Sequence, residues 1–261
     1  MTRKFPFIAM MAFAALTMMQ ANAQTKPAVK KPVVKTTAKP GTRPAAKPVA
    51  KKVTSTSSTA KTRAVADKSI RVKITTDSGV IVVKLSDSTP LHRDNFVKLV
   101  KEGFYDSLLF HRVIAGFMIQ GGDPQSKNAA PGARLGSGGG DMARIPAEFN
   151  AALIHKKGAL AAARDGNPER ASSACQFYIV DGKVLSDAEL DMMESRLGKK
   201  YTPAQRAIYK TVGGTAMLDM NYTVFGEVVS GMNVIGKIAN VQKDMADRPV
   251  GDVKMKMEII K

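Results

Sequence analysis

The sequence predicts a mainly β domain, a barrel or a sandwich, and three observations carry that prediction. Beyond residue 68 the apolar residues recur with period two or in short runs, Gly-rich turns cut those runs, and few stretches show helical spacing. In order, Arg71–Thr75 (RVKIT) and Val80–Leu85 (VIVVKL), joined by Asp77-Ser78-Gly79, read as an antiparallel hairpin. Pro90 opens a helix, because its missing N–H costs nothing in the first turn. Phe96, Val97, Leu99 and Val100 supply its apolar face, and Gly103 follows its end. Leu108–Ile119, Gly158–Ala163, Gln176–Val180, Thr223–Val229 and Val253–Ile260 are further strand-like runs, with a second short helix near Gly231–Ile238. Between Asp181 and Gly214 the β pattern breaks. Ser186-Asp187-Ala188-Glu189 is a capping box leading into a helix that stops at Gly198. Thr202-Pro203-Ala204-Gln205 is another, ending near Gly213. The spacing therefore predicts a helical insertion over about 186–213.

Charge is unevenly spread. The chain of 261 residues has 40 Lys+Arg against 22 Asp+Glu, a formal net charge of +18. Arg3 and Lys4 precede an apolar run from Phe5 to about Met19, followed by Ala21-Asn22-Ala23. That order predicts a secretory signal peptide over residues 1–23, cleaved after Ala23, and a periplasmic or secreted protein; the run is short for a membrane span. Residues 24–68 hold twelve of the basic residues and one acidic residue, Asp67, in a Lys/Pro/Ala-rich stretch without aromatics. Such a composition cannot bury enough apolar surface to offset chain entropy, so a basic, disordered, partly polyproline linker is expected. It reads first as a soluble spacer and second as a weak contact for anionic envelope lipid or polymer, export arguing against a specific nucleic acid. Cys175 is the single cysteine, which excludes an internal disulfide and reads as a buried thiol; no second Cys or His cluster makes a metal site.

The segment Phe110-His111-Arg112-Val113-Ile114-Ala115-Gly116-Phe117-Met118-Ile119-Gln120-Gly121-Gly122-Asp123 concentrates the chemistry. Strand spacing puts Phe110, Arg112 and Ile114 on one face, and Met118 and Gln120 on one face beyond a bend at Gly116. Arginine is costly to bury without a partner, so Arg112 marks either a site or a structural ion pair, and spacing alone does not separate the two. His111 has no paired carboxylate nearby in sequence and is a weak acid–base signal. Gly136-Ser137-Gly138-Gly139-Gly140 lacks the Lys-Ser/Thr that completes a phosphate cradle and reads as a flexible loop.

FHRVIAGFMIQGGDP resembles the signature segment of cyclophilins, and the likeness continues through GALAAARDGNPERASSACQFYIV and LDMNYTVFGEVVSGMNVIGKI, over nearly all of residues 69–261. The resemblance implies a closed eight-stranded antiparallel barrel capped by two helices, with a substrate groove on its outer face. It implies a peptidyl-prolyl cis-trans isomerase acting on proline-containing polypeptides without metal or cofactor. By the same resemblance Arg112 is the catalytic residue, and Phe117, Met118, Gln120, Ala163, Arg164, Gln176, Tyr178, Leu218 and Tyr222 fall at groove positions. Gln120 is then expected to hold the guanidinium and the substrate backbone. Phe117, Met118 and Leu218 would grip the proline ring, and the Arg164 N–H with the Gln176 amide would fix the flanking peptide. Relatives that bind cyclosporin tightly carry tryptophan where Met217 stands. Tyr222 and Arg164 replace residues that are often His and Asn in the family, which puts drug binding in doubt more than catalysis. The competing reading is a chaperone or scaffold that holds proline segments with little turnover. The predicted insertion lies between groove residues in sequence, so it is expected to overhang one end of the groove.

Overall fold

Period-two alternation builds the first strand pair. In the computed structural model, which describes residues 69–260, β1 (Arg71–Thr76) and β2 (Gly79–Leu85) pair antiparallel, with Val72 opposite Val83 and Ile74 opposite Ile81. All four side chains are fully buried. There follow α1 (Pro90–Lys101), β3 (Phe110–Ile114), β4 (Met118–Gly121), β5 (Ala159–Ala162), β6 (Phe177–Val180), α2 (Asp187–Leu197), α3 (Pro203–Thr211), β7 (Val224–Ser230), α4 (Met232–Ala239) and β8 (Met255–Ile260). The expected signal peptide and linker lie outside the described residues. Among the described residues no helix is long and apolar enough to cross a membrane.

The eight strands form one antiparallel sheet in the order β3-β4-β6-β5-β7-β2-β1-β8. The sheet curls but does not close into the expected barrel: β3 and β8 are its edges. Between them stand a single bridge, Leu109 with Lys254, and end contacts such as the Phe110 amide donating to Val253 O at 2.9 Å. The seam stays open because the loop between α4 and β8 takes the edge of β3, the Val113 amide donating to Asp247 O at 2.8 Å. Phe96, Leu99 and Val100 of α1 and Val234, Ile235 and Ile238 of α4 share one apolar cluster with inward side chains of the sheet. At roughly 1.5–3 kcal/mol for each large side chain removed from water, this cluster holds the two helices on the sheet. Phe96 meets Phe177 and Phe225 edge to face at 5.6 and 5.3 Å.

One register differs from simple alternation. Phe110 pairs with Gly121 and Arg112 with the adjacent Gln120, so His111 is an extra residue, a β-bulge. The bulge reverses the side-chain phase: Phe110 and Val113 point into the core cluster, whereas Ile114 joins the outer one and Arg112 is half-buried. Phe110 therefore does not share a face with Arg112 and Ile114, contrary to the spacing argument.

Both predicted capping boxes are present, Ser186 with Glu189 and Thr202 with Gln205, and Gly198 adopts the left-handed conformation (φ 63°) that stops α2. The two inserted helices pair through charge. Arg206 contacts Asp187, Asp191 and Glu194, and Lys210 contacts Asp187 at 2.7 Å. Leu190, Tyr201 and Tyr209 form a separate buried cluster with Ile154 and Ala216, against which Met193, Leu197 and Ile208 pack.

Candidate functional site

The antiparallel register assembles a row of side chains across neighbouring strands. Arg112 of β3 stands opposite Gln120 of β4, Gln120 opposite Tyr178 of β6, Tyr178 opposite Ala161 of β5, and Ala161 opposite Val224 of β7. One step along β4, Met118 belongs with Tyr178, Ala161 and Ala163 to an apolar cluster distinct from the core, against which Phe117, Leu218 and Tyr222 pack. Arg112, Phe117, Met118, Gln120, Ala163, Arg164, Tyr178, Leu218 and Tyr222 together line a cavity of about 120 Å³. Nine of the ten sequence-predicted residues thus meet at one place.

The tenth, Gln176, lines an adjoining cavity of about 350 Å³ with Gln120, Ala163, Arg164 and the Gly136–Gly140 loop. Its Nε2 donates to the carbonyls of Gly136 and Gly138 at 3.0 and 2.9 Å, and its Oε1 accepts from Gln120 Nε2 at 3.0 Å. Two expectations change. The glycine loop is fastened onto the site, also by the Gly136 amide donating to Asp123 Oδ2. Gln120 spends its amide on Gln176 and has no hydrogen bond to Arg112, because both Nε2 protons of Gln176 go to the loop and leave its Oε1 open to Gln120.

Arg112 has a different partner, Asp247, whose Oδ2 lies 3.9 Å from its Nε. The contact is Coulombic and beyond hydrogen-bond length, so the guanidinium donors remain free for another acceptor. Asp247 is itself placed by Lys243, whose Nζ donates to its Oδ1 at 2.6 Å. On the opposite wall Arg164 lies over the Tyr222 ring, 4.7 Å from its centroid, and donates from Nε to Asn221 O at 3.0 Å. That cation–π contact and the edge-to-face Tyr178–Tyr222 pair at 5.9 Å fix the wall.

Sequence reasoning missed the buried support beneath this wall. His155 Nδ1 is 2.8 Å from Asp219 Oδ1 and its Nε2 is 2.9 Å from the Tyr178 hydroxyl. Asp219 Oδ2 accepts from Tyr201 at 2.8 Å and Tyr209 at 2.7 Å. Burial pushes the Asp219 carboxyl up, but the hydrogen bond and charge of His155, together with the Tyr209 hydroxyl, outweigh it and hold the group below its ordinary range. His155 bridges Asp219 and the Tyr178 hydroxyl, so the inserted helices are hydrogen-bonded through to a side chain that lines the cavity. The one sequence signal for this was the capping boxes, which announce helices but not their partners.

His111 is buried, both ring nitrogens lack a partner, and burial pushes it down to about 4 against the pull of Asp123. This agrees with a structural role. Cys175 is buried and its thiol is pushed up by burial, as an inert side chain should be. Among the described residues no group of His, Cys, Asp and Glu could hold a metal ion.

Residues 71–259 match the family model described as cyclophilin type peptidyl-prolyl cis-trans isomerase/CLD. Putative peptidyl-prolyl cis-trans isomerases of Staphylococcus haemolyticus and Staphylococcus epidermidis are 34% and 35% identical over 192 residues, 73% of this chain and 91% of each relative. A crystal structure of a cyclophilin type peptidyl-prolyl cis-trans isomerase from Cryptosporidium parvum shares the fold at a TM-score of 0.54 with 22% identity, covering 74% of this chain and 98% of that one. A second structure of that protein, obtained in the presence of the dipeptide Ala-Pro, has a TM-score of 0.52 and covers 73% of this chain and 99% of that one.

Proposed function

This chain belongs to the cyclophilin type peptidyl-prolyl cis-trans isomerases, and we propose that it accelerates X-Pro rotation in exported polypeptides by donating a hydrogen bond from Arg112 to the proline nitrogen in the twisted state. One observation carries the reading: Arg112 and the apolar side chains suited to a pyrrolidine ring line the same small cavity.

The chemistry follows from the amide. Its nitrogen lone pair is delocalised into the carbonyl, which sets a barrier of ~18–20 kcal/mol and uncatalysed exchange over roughly tens of seconds. Twisting the bond returns the lone pair to a pyramidal nitrogen that can accept a proton donor. The Arg112 donors are open and its charge is balanced by Asp247 at 3.9 Å. A bond that forms only in the twisted state lowers the barrier and does not merely tighten binding. Phe117, Met118 and Leu218 hold the ring, Tyr178 and Tyr222 set the depth of the groove, and Ala163 with Arg164 borders the flanking peptide. Gln120 and Gln176 hold the glycine loop in place along it. No proton is transferred.

Export of the clients rests on the signal-like residues 1–23, with residues 24–68 as a spacer. N-terminal sequencing of the protein recovered from outside the cytoplasm should begin at Gln24. The activity itself is tested by NMR exchange or a protease-coupled assay on an Ala-Pro peptide. Acceleration over the uncatalysed rate is expected; binding of the peptide without acceleration would make this a proline-segment chaperone.

A further inference from the structure

We propose that a second cavity, walled by the inserted hairpin and adjoining the groove, takes an apolar side chain of the same client, within about two residues of its proline; this rests on the isomerase reading above. The cavity holds about 380 Å³ and is lined by Ile114, Phe117, Leu185, Met193, Ala216 and Met217. That is within the size range of small-ligand pockets and ample for a leucine or phenylalanine side chain.

The occupant follows from continuity. Phe117 borders both this cavity and the groove, and an extended chain advances about 3.3–3.6 Å per residue. A polypeptide with its proline on Phe117 therefore brings a neighbouring side chain over the second cavity. Polar lining is sparse. The one charged residue is Lys183, whose Nζ faces Glu189 Oε1 at 3.3 Å, and Thr215 is buried with an Oγ1 that lacks a hydrogen-bond partner. An acidic or amide side chain would find little to replace its water, whereas an apolar one loses nothing on entry.

The walls are held in place before any client arrives. Gly116 N–H donates to Asp181 Oδ2 at 2.8 Å, and the Phe117 carbonyl accepts from the Asp181 and Gly182 amides at 3.0 and 3.1 Å. The hairpin that contributes Met193 is anchored through Tyr201 and Tyr209 on Asp219. A preformed pocket spares the ordering cost that weakens flexible sites, so it can discriminate.

The test uses the full chain and peptides with an Ala-Pro core, varied among Ala, Leu, Phe and Glu at each of two positions on either side. At one position kcat/KM should favour Leu or Phe over Ala by roughly ten-fold or more, with Glu poorest. Met193→Glu should abolish that preference while leaving the all-alanine peptide unchanged, and Met217→Glu, which lies outside the hairpin, should abolish the preference as well. In protein labelled with methyl-¹³C methionine, the Leu peptide should shift the Met193 and Met217 signals and the alanine peptide should not. Turnover of all peptides without preference, or a preference that survives both variants, overturns the subsite alone. Failure to turn over any peptide would remove the isomerase reading and the subsite with it.

Discussion

A guanidinium in an apolar strand must meet water or a partner, and at position 112 the bulge at His111 turns it outward, where Asp247 balances its charge at 3.9 Å without consuming its donors. On the proposed mechanism, Arg112→Ala removes a charged hydrogen bond of ~1.5–3 kcal/mol that exists only in the twisted state. The rate on an X-Pro peptide should therefore fall roughly ten- to hundred-fold with thermal stability unchanged; near-normal activity would defeat the mechanism. Lysine should restore only part of the rate, since a point charge does not reproduce the planar fork. Met217 invites a separate measurement. It is half-exposed beside Leu218 and offers no N–H where strongly cyclosporin-binding relatives carry an indole. Inhibition by the drug should be weak and strengthened in Met217→Trp. Tight inhibition of the unaltered protein would show that the indole is dispensable here.

At the scale of elements, the inserted hairpin is not a detachable decoration. Its internal ion pairs are largely exposed, and such pairs contribute little individually. Lys200, with Tyr201 and Arg206, holds the Glu194 carboxyl down at about 2, yet this ties the hairpin only to itself. What ties it to the rest of the domain is its buried cluster with Ile154 and Ala216, together with the pair of tyrosine hydroxyls on the buried Asp219, next in sequence to Leu218. Cutting out residues 186–213 would therefore leave a buried carboxylate short of partners as well as shortening a loop. A milder change isolates the effect. Tyr209→Phe keeps the ring and deletes one bond to a charged acceptor, ~1.5–3 kcal/mol, which corresponds to a melting temperature lower by on the order of 5 °C. Through Asp219, His155 and Tyr178 it should also lower activity on a minimal peptide. An unchanged melting curve would mean that the buried network is slack.

For the whole molecule, acid sensitivity should come in two stages. Burial pushes His111 down to about 4 and also lowers His92, so the fold favours their neutral rings while the unfolded chain protonates them near 6.5. The unfolded state binds more protons in that interval, and stability should fall as pH drops from about 6.5 to about 4, then level off for this contribution. The carboxylates act lower. Glu194 and Asp219 are depressed in the fold, so their contribution is present above their unfolded values and is lost as pH falls below about 4. His111→Phe, which has no proton to gain, should flatten the upper stage by on the order of 3 kcal/mol. Denaturant titrations between pH 7 and 4 read this directly, and equal slopes for the two proteins would assign the upper stage elsewhere.

The local features were legible in the sequence because their causes are local. Pro90 starts a helix, Gly198 ends one, two capping boxes frame the insertion, and alternation in Val72, Ile74, Ile81 and Val83 names a buried face. The residues that line the small cavity were legible through resemblance, since the FHRVIAGFMIQGGDP segment carries Arg112, Phe117, Met118 and Gln120 within a few positions. Tertiary structure decided what depends on distant partners. The bulge at His111, the open seam between β3 and β8, and the choice of Asp247 over Gln120 beside Arg112 all follow from the α4–β8 loop or the glycine loop packing where it does. The same holds for Asp219, which gathers His155, Tyr201 and Tyr209. Backbone preference acts over a few residues, so a sequence announces its own turns and faces. Which buried acceptor meets which donor is settled only when packing brings remote segments together and each polar group must find a partner.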